Sequence, residues 1–242
     1  MNIVIPMGGK DPRFAGSFKA FSDVGGEPLI KRIMGGLRID PCDQLIFIVL
    51  KDDEQIFGVS KKVSSLFGKN IVVRYLDGPT RGSPESIITG AKDLINNDDG
   101  LLIELGDVFR DTKNLYKDIE SRAGVAGIIP VEGRLINGKL WGYVSVDGDR
   151  ALKLHEKESV PSAPWATMGL YYFSHGKDFV WAAEEMMDKR SFTYKDVFFV
   201  GPAYNELIKR GDKIAISENK IIAVLGGPED IENFKEGKPT LV

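Results

Sequence analysis

Two glycines, an arginine and a lysine carry the first recognisable chemistry of this chain. In MNIVIPMGGKDPRFAGSFKAFSDVGGEPLI, Met7, Gly8 and Gly9 follow an apolar run, and Arg13 and Lys19 lie in the loop beyond. Glycine lacks a Cβ, so backbone N–H groups can approach a ligand closely, and two fixed cations can neutralise phosphate oxygens. The pattern is that of a phosphate site, although Gly8-Gly9 alone would equally make an ordinary strand-to-helix turn. Further on, Asp107 follows a second apolar run and a glycine in LLIELGDVF. A hard carboxylate oxygen at that place suits Mg2+ held against phosphate. Glu156-Lys157, an adjacent acid and base, is by itself an ordinary surface pair.

The elements that must position these groups are legible in the spacing. Asn2 to Pro6 reads as a strand, and Leu29, Ile30, Ile33, Met34 and Leu37 have helical spacing. Gln44 to Leu50 reads as a strand covered on both faces, followed by a helix over Asp53 to Phe67 and a strand over Ile71 to Tyr75. After Gly82 a helix carries Ile87, Ile88, Ala91 and Leu94, with Pro84 in its first turn. Strands over Leu101 to Leu105 and Val125 to Val131 flank a helix from about Thr112 to Arg122. This alternation predicts an α/β fold, a three-layer α/β/α Rossmann-like arrangement around a mixed, mainly parallel sheet. Ligands of such sheets sit beyond the carboxyl ends of the strands, which puts the loops after Pro6, Tyr75 and Leu105 on one rim.

Beyond Pro130 the pattern turns to short strands. Trp141 to Val146 and Ala151 to His155 are joined by Asp147-Gly148-Asp149, a hairpin turn signal that also imitates the Asp-x-Asp metal motif of glycosyltransferases. Thr167 to Phe173 reads as a strand, Tyr204, Leu207 and Ile208 as a helix face, Lys220 to Leu225 as a strand, and Pro228 as the start of a last helix.

The order of strand, MGGKDPRF, FKAF and GGEPLI resembles the N-terminal signature of the sugar-1-phosphate nucleotidyltransferases, with Gly9, Arg13, Lys19, Gly26 and Pro28 on its positions. Asp11 and Pro12 depart from it, standing where a second glycine and a Thr or Ser are usual. The Leu-Gly-Asp of Asp107, the Glu-Lys of Glu156-Lys157, the segment Thr167 to Phe173 and the tail LGGPED extend the resemblance over nearly the whole chain. It implies one nucleotidyltransferase domain of the nucleotide-diphospho-sugar transferase fold over residues 1–242, with 1–130 the nucleotide-binding part and 131–242 the acceptor part.

In such a protein Met7, Gly8, Gly9, Gly82 and Asp107 would touch the nucleotide. Arg13, Lys19 and Asp107 would be catalytic, Asp107 holding Mg2+, and Gly142, Glu156, Lys157 and Gly169 would bind the sugar phosphate. Thr167 stands where the family usually has Asn. Val224 stands where many relatives carry a second metal-binding Asp, and Glu229 or Asp230 either compensates or interacts with the last helix dipole. The expected reaction couples a nucleoside triphosphate to a sugar 1-phosphate and releases pyrophosphate. A cytidylyltransferase for a non-sugar phosphate, a nucleotide-binding homologue without catalysis and a glycosyltransferase of related fold stay open as alternatives.

Composition narrows the partners. The 242 residues are 43% hydrophobic and 28% charged, enough to bury a sizeable core. Thirty-two basic against 35 acidic residues give a net charge of −3, which is no footprint for nucleic acid. One cysteine, Cys42, excludes an internal disulfide and reads as a small buried or edge residue. Neither a membrane-spanning run nor a signal-peptide pattern is present, so a cytoplasmic protein is expected, with a homo-oligomer left open. The Ser159 to Pro164 cluster is too short for an interdomain linker. His155 and His175 sit in no catalytic pattern.

Overall fold

The computed structural model describes residues 1–14, 16–68, 70–133, 141–158, 160, 163–190 and 193–240, and half of the Ser159–Pro164 cluster lies outside them. The first half alternates β1 (Asn2–Pro6), α1 (Leu29–Met34), β2 (Gln44–Leu50), α2 (Lys51–Phe57), α3 (Val59–Phe67), β3 (Ile71–Leu76), α4 (Ser83–Ile95), β4 (Leu101–Glu104), β5 (Val108–Asp111), α5 (Lys113–Ser121) and β6 (Gly127–Glu132). The second half runs β7 (Gly142–Asp147), β8 (Arg150–Glu156), β9 (Trp165–Thr167), β10 (Leu170–Phe173), α6 (Gly176–Asp188), β11 (Thr193–Tyr194), β12 (Val197–Phe198), α7 (Ala203–Arg210), β13 (Ile214–Glu218), β14 (Lys220–Val224) and α8 (Pro228–Lys235).

Strands β3, β2, β1 and β4 lie side by side and parallel. β10 enters antiparallel between β4 and β6, so the sheet is mixed. On its far side β6, β9, β7, β8 and β13 form a ring, because β13 pairs with both β8 and β6. β5 leaves the main sheet and pairs antiparallel with β14, Val108 opposite Val224.

Alternation along the strands divides the core in two. Val4, Ile46, Ile48 and Ile103 face α4 and α6 with Ile87, Ala91 and Phe179. Ile3, Ile5, Phe47 and Val49 face the other way, against Ile30 of α1, Val59 and Val63 of α3, and Leu115 of α5. Leu45 to Leu50 are buried without interruption, and each such side chain contributes about 1.5–3 kcal/mol. That double coverage fixes the register of the parallel strands and so the height at which their carboxyl ends stop.

Three expectations from spacing need correction. The helix over Asp53 to Phe67 is two helices, broken where Gly58 takes a left-handed φ of 58° that ends α2. The strand over Thr167 to Phe173 is likewise interrupted at Met168-Gly169, and Ile214–Glu218 adds a strand that the spacing does not predict. Cys42, expected to be a small buried or edge residue, is exposed in the turn before β2. The Asp147-Gly148-Asp149 turn is a hairpin tip, with Asp149 accepting from Arg122 at 2.6 Å.

Candidate active site

The carboxyl ends of β1, β3 and β4 open into a cleft of about 820 Å³, within the range of small-molecule sites. Met7, Gly8, Gly9, Arg13, Lys19, Gly82 and Asp107 all lie in its wall. Met7 continues the β1–β2 ladder through its N–H to the Ile48 carbonyl at 2.7 Å, and the chain then turns away at Gly8. The loop is anchored by Phe14, buried against Val24, Leu29, Leu225 and Ile231, which ties it to the tail of the chain. Gly82 precedes α4 with a φ of 125°, and a Cβ there would stand 2.1 Å from the Phe198 carbonyl oxygen, so only glycine lets these two segments meet.

Charges gather at one end of the cleft. Lys19 forms an ion pair with Asp107, their side chains 24% and 50% exposed. Arg13 grips Asp11 with two nitrogens at 2.9 and 2.7 Å and donates to the Gly226 carbonyl at 3.0 Å. The Arg13 hydrogen bond, with help from Lys19, holds the Asp11 carboxyl below its ordinary range. Asp11 is therefore turned onto Arg13, and the loop keeps a carboxylate without leaving it unpaired. Asp230 accepts from the Gly227 N–H at 2.7 Å as a helix cap. Val224 faces Val108 across the β5–β14 pair, one residue from Asp107, and supplies no ligand.

Among the described residues no group of three or more metal-ligating side chains occurs. Mg2+ commonly takes one or two carboxylates together with phosphate and water oxygens. A half-exposed Asp107 beside Lys19 in the cleft fits such a single-carboxylate site.

A buried pair that the sequence pattern does not single out sits beneath Asp107. Glu104, the last residue of β4, and Arg110, in the middle of β5, are 0% and 1% exposed and joined through both guanidinium Nη atoms. Glu104 also accepts the Gly106 N–H at 2.7 Å, so it clamps both sides of the Leu105-Gly106-Asp107 turn. Burial pushes the Glu104 carboxyl up, and Arg110 pulls against it. The faint signal in the sequence is a Glu closing an apolar run and an Arg two residues after Val108, on the same face of β5.

The other expected residues form a second group. Gly142 pairs with Glu156 across the β7–β8 hairpin, and a Cβ on Gly142 would lie 2.9 Å from Thr167 Oγ1 and 3.0 Å from Glu156 Oε2. The Glu156 side chain is 7% exposed, 3.5 Å from Lys157 Nζ, and burial raises its carboxyl while Lys157 opposes the shift. Gly169 accepts the Leu105 N–H at 3.0 Å and so adjoins the Asp107 turn. Gly142, Glu156, Lys157 and Gly169 lie outside the wall of the 820 Å³ cleft. Asp53, which spacing reads only as a helix start, lies in that wall.

Comparison with known proteins agrees with this arrangement. A structure from Vibrio cholerae RC9 described as a nucleoside-diphosphate-sugar pyrophosphorylase superposes with a TM-score of 0.83 at 22% identity, covering 97% of this chain and 99% of that one. A Bacillus anthracis protein assigned as a glucose-1-phosphate thymidylyltransferase, in complex with a sucrose, gives 0.71 at 16% identity, covering 100% and 96%. The inositol-1-phosphate CTP transferase of T. maritima gives 0.73 at 15% identity, covering 98% and 97%. At these identities the structures establish the shared fold. A search of curated proteins found no match. Residues 15–200 match the sequence model of the nucleotidyl transferase family, and the chain belongs to that family.

Proposed function

We propose that this protein joins a nucleoside triphosphate to a sugar 1-phosphate and releases pyrophosphate. Residues 1–130 bind the nucleotide and residues 131–242 the sugar phosphate. The observation that carries the reading is the Lys19–Asp107 pair at the carboxyl edge of the sheet, inside a cleft walled by a glycine loop and Arg13.

An oxygen of the sugar phosphate attacks the α-phosphorus, the bond from that phosphorus to the bridging oxygen breaks, and pyrophosphate leaves with the electron pair. The attacking phosphate is already anionic, so no general base is needed. Arg13 and Lys19 align the triphosphate and neutralise charge that develops on it. Asp107 is the residue that would hold Mg2+, whose chemistry there is charge neutralisation on phosphate oxygens. Glu156, with Gly142 leaving room beside it, accepts hydrogen bonds from sugar hydroxyls, and Lys157 meets the sugar's phosphate. The names of the three structural neighbours support a phosphorylated sugar or polyol as acceptor.

The test is pyrophosphate release across a panel of nucleoside triphosphates and sugar phosphates, in the wild type and in Lys19→Ala. One productive pair is expected, with turnover reduced on the order of 10²-fold or more in a correctly folded Lys19→Ala. Undiminished turnover in that variant removes Lys19 from the mechanism.

A further inference from the structure

The turn that carries Asp107 is held at each of its residues. Leu105 donates its N–H to the Gly169 carbonyl at 3.0 Å, and the Asp107 carbonyl accepts the Leu225 N–H at 2.7 Å. Between them Gly106 takes a φ of 78°, in the left-handed region. Its N–H goes to a side chain, the Glu104 carboxylate, at 2.7 Å.

A carboxylate reaching forward along its own chain swings freely unless something fixes it, and here Arg110 does. Arg110 Nη2 meets the same oxygen as Gly106, at 3.2 Å, and Nη1 meets the other. A planar guanidinium gripping both oxygens leaves the carboxylate one orientation. The backbone of Arg110 is fixed in its turn: it pairs with Ile221 of β14, and a Cβ on Gly36 would stand 2.4 Å from its carbonyl oxygen, so the chain after α1 packs directly on it.

Stability alone does not account for an ion pair at this place. Buried charges gain little over well-packed apolar side chains of similar size, and Arg110 Nε is buried with no acceptor among the described residues. What the pair adds is a rigid acceptor under the turn. Asp107 is the group that needs it, because its side chain is half-exposed in the cleft and Val224 brings no second carboxylate to share a metal. A lone ligand depends on its own backbone for aim.

We propose that Glu104 and Arg110 are positioning residues for the transfer reaction, fixing the Leu105-Gly106-Asp107 turn so that the Asp107 carboxylate is set to hold Mg2+ against the phosphates of the nucleotide. This role rests on the reading that the cleft binds a nucleoside triphosphate with Asp107 at the metal.

Titration calorimetry separates positioning from a structural role. ATP, CTP, GTP, UTP and dTTP are titrated into the wild type in EDTA and in excess Mg2+, and the tightest binder is carried to Arg110→Met and to the double variant Glu104→Leu with Arg110→Met, with a thermal melt of each protein. The double variant replaces the pair by apolar side chains and should melt close to the wild type, because the Gly106 N–H lies in the cleft wall where water can take it. In EDTA both variants should bind like the wild type, since Arg13 and Lys19 are untouched. Removing the support behind a metal ligand weakens the metal by roughly ten- to a hundredfold, so a wild-type gain in affinity from Mg2+ of that size should be lost in both.

A purely structural pair would lower the number of folded sites without changing the ratio of the two affinities. A double variant that melts like the wild type and keeps the full gain from Mg2+ would overturn the positioning role, as would one that does not fold. A wild type that binds nucleotide no better with Mg2+ would overturn this inference and leave the nucleotide site in place. Absence of all nucleotide binding in the folded wild type would overturn the proposed function with it.

Discussion

Arg110→Met probes the clamp beneath Asp107 most sharply. Methionine keeps much of the length and apolar volume of arginine and removes its charge. What remains is the Glu104 carboxylate, fully buried, with the Gly106 N–H as its donor in place of three. Removing one partner of a buried ion pair costs about 3–5 kcal/mol. At about 2–4 °C per kcal/mol for a chain of this size, the melting temperature should fall by roughly 6–20 °C.

The pH dependence has a definite sign. Burial already raises the Glu104 carboxyl above its ordinary 4.5, and losing Arg110 raises it further. A carboxyl with a raised folded-state pKa contributes stability that is present below its unfolded pKa and lost as pH rises through the folded one. The deficit of Arg110→Met should therefore be full at about pH 8 and shrink toward about pH 5. Adding Glu104→Gln removes the stranded charge, and the double variant should recover to within about 1–2 kcal/mol of wild type, since apolar or neutral replacements of buried pairs are often close to neutral. Thermal and urea melts at the two pH values measure all of this. A single variant within 1–2 °C of wild type (roughly half a kcal/mol at the same conversion), or a double variant less stable than Arg110→Met, would refute the clamp.

Two further substitutions address the cleft itself. Asp11→Asn removes a negative charge from the phosphate end and loosens its hold on Arg13; triphosphate affinity measured by titration should rise about two- to fivefold, the range for a partly exposed pair, whereas a fall would make Asp11 a support for Arg13. Gly82→Ala forces a Cβ to within 2.1 Å of the Phe198 carbonyl at a φ of 125°. Strain and overpacking together should cost about 2–4 kcal/mol in a denaturant melt, and an unaltered midpoint would show that the two segments part easily.

What was legible in the sequence is what packing makes one-dimensional. β1 and β2 are continuous apolar runs because helices cover both faces, and their bounds follow directly. Gly8, Gly9 and Asp107 were readable because each closely follows such a strand, and Arg13 and Lys19 because the loop after β1 resembles the family's signature. The join of Gly142 with Glu156 follows from the register of a hairpin whose turn is explicit. The division of α2 from α3 was not readable, since a single glycine within a helical pattern does not announce a left-handed φ. β13 escaped because Ile214–Glu218 is a short run whose partners, β6 and β8, are distant in sequence.

The buried charges escaped for a different reason. Spacing singles out none of Asp53, Glu104 and Arg110, and charged residues usually lie at the surface. Only three-dimensional packing shows Glu104 closing onto Arg110 across a turn, and Asp53 in the wall of the cleft. Asp11 could not be placed from the chain alone either, because its pairing with Arg13 depends on the tail folding back to put the Gly226 carbonyl beside the guanidinium.

The most direct test of the central claim is a phosphorus NMR time course of the protein with Mg2+, a nucleoside triphosphate and a sugar 1-phosphate. Nucleotidyl transfer breaks the bond to the α-phosphorus, so pyrophosphate and a new diphosphate-linked product should appear together in equal amounts. Orthophosphate with nucleoside diphosphate, or a triphosphate that stays intact across the whole panel while still binding to the folded protein, would contradict it.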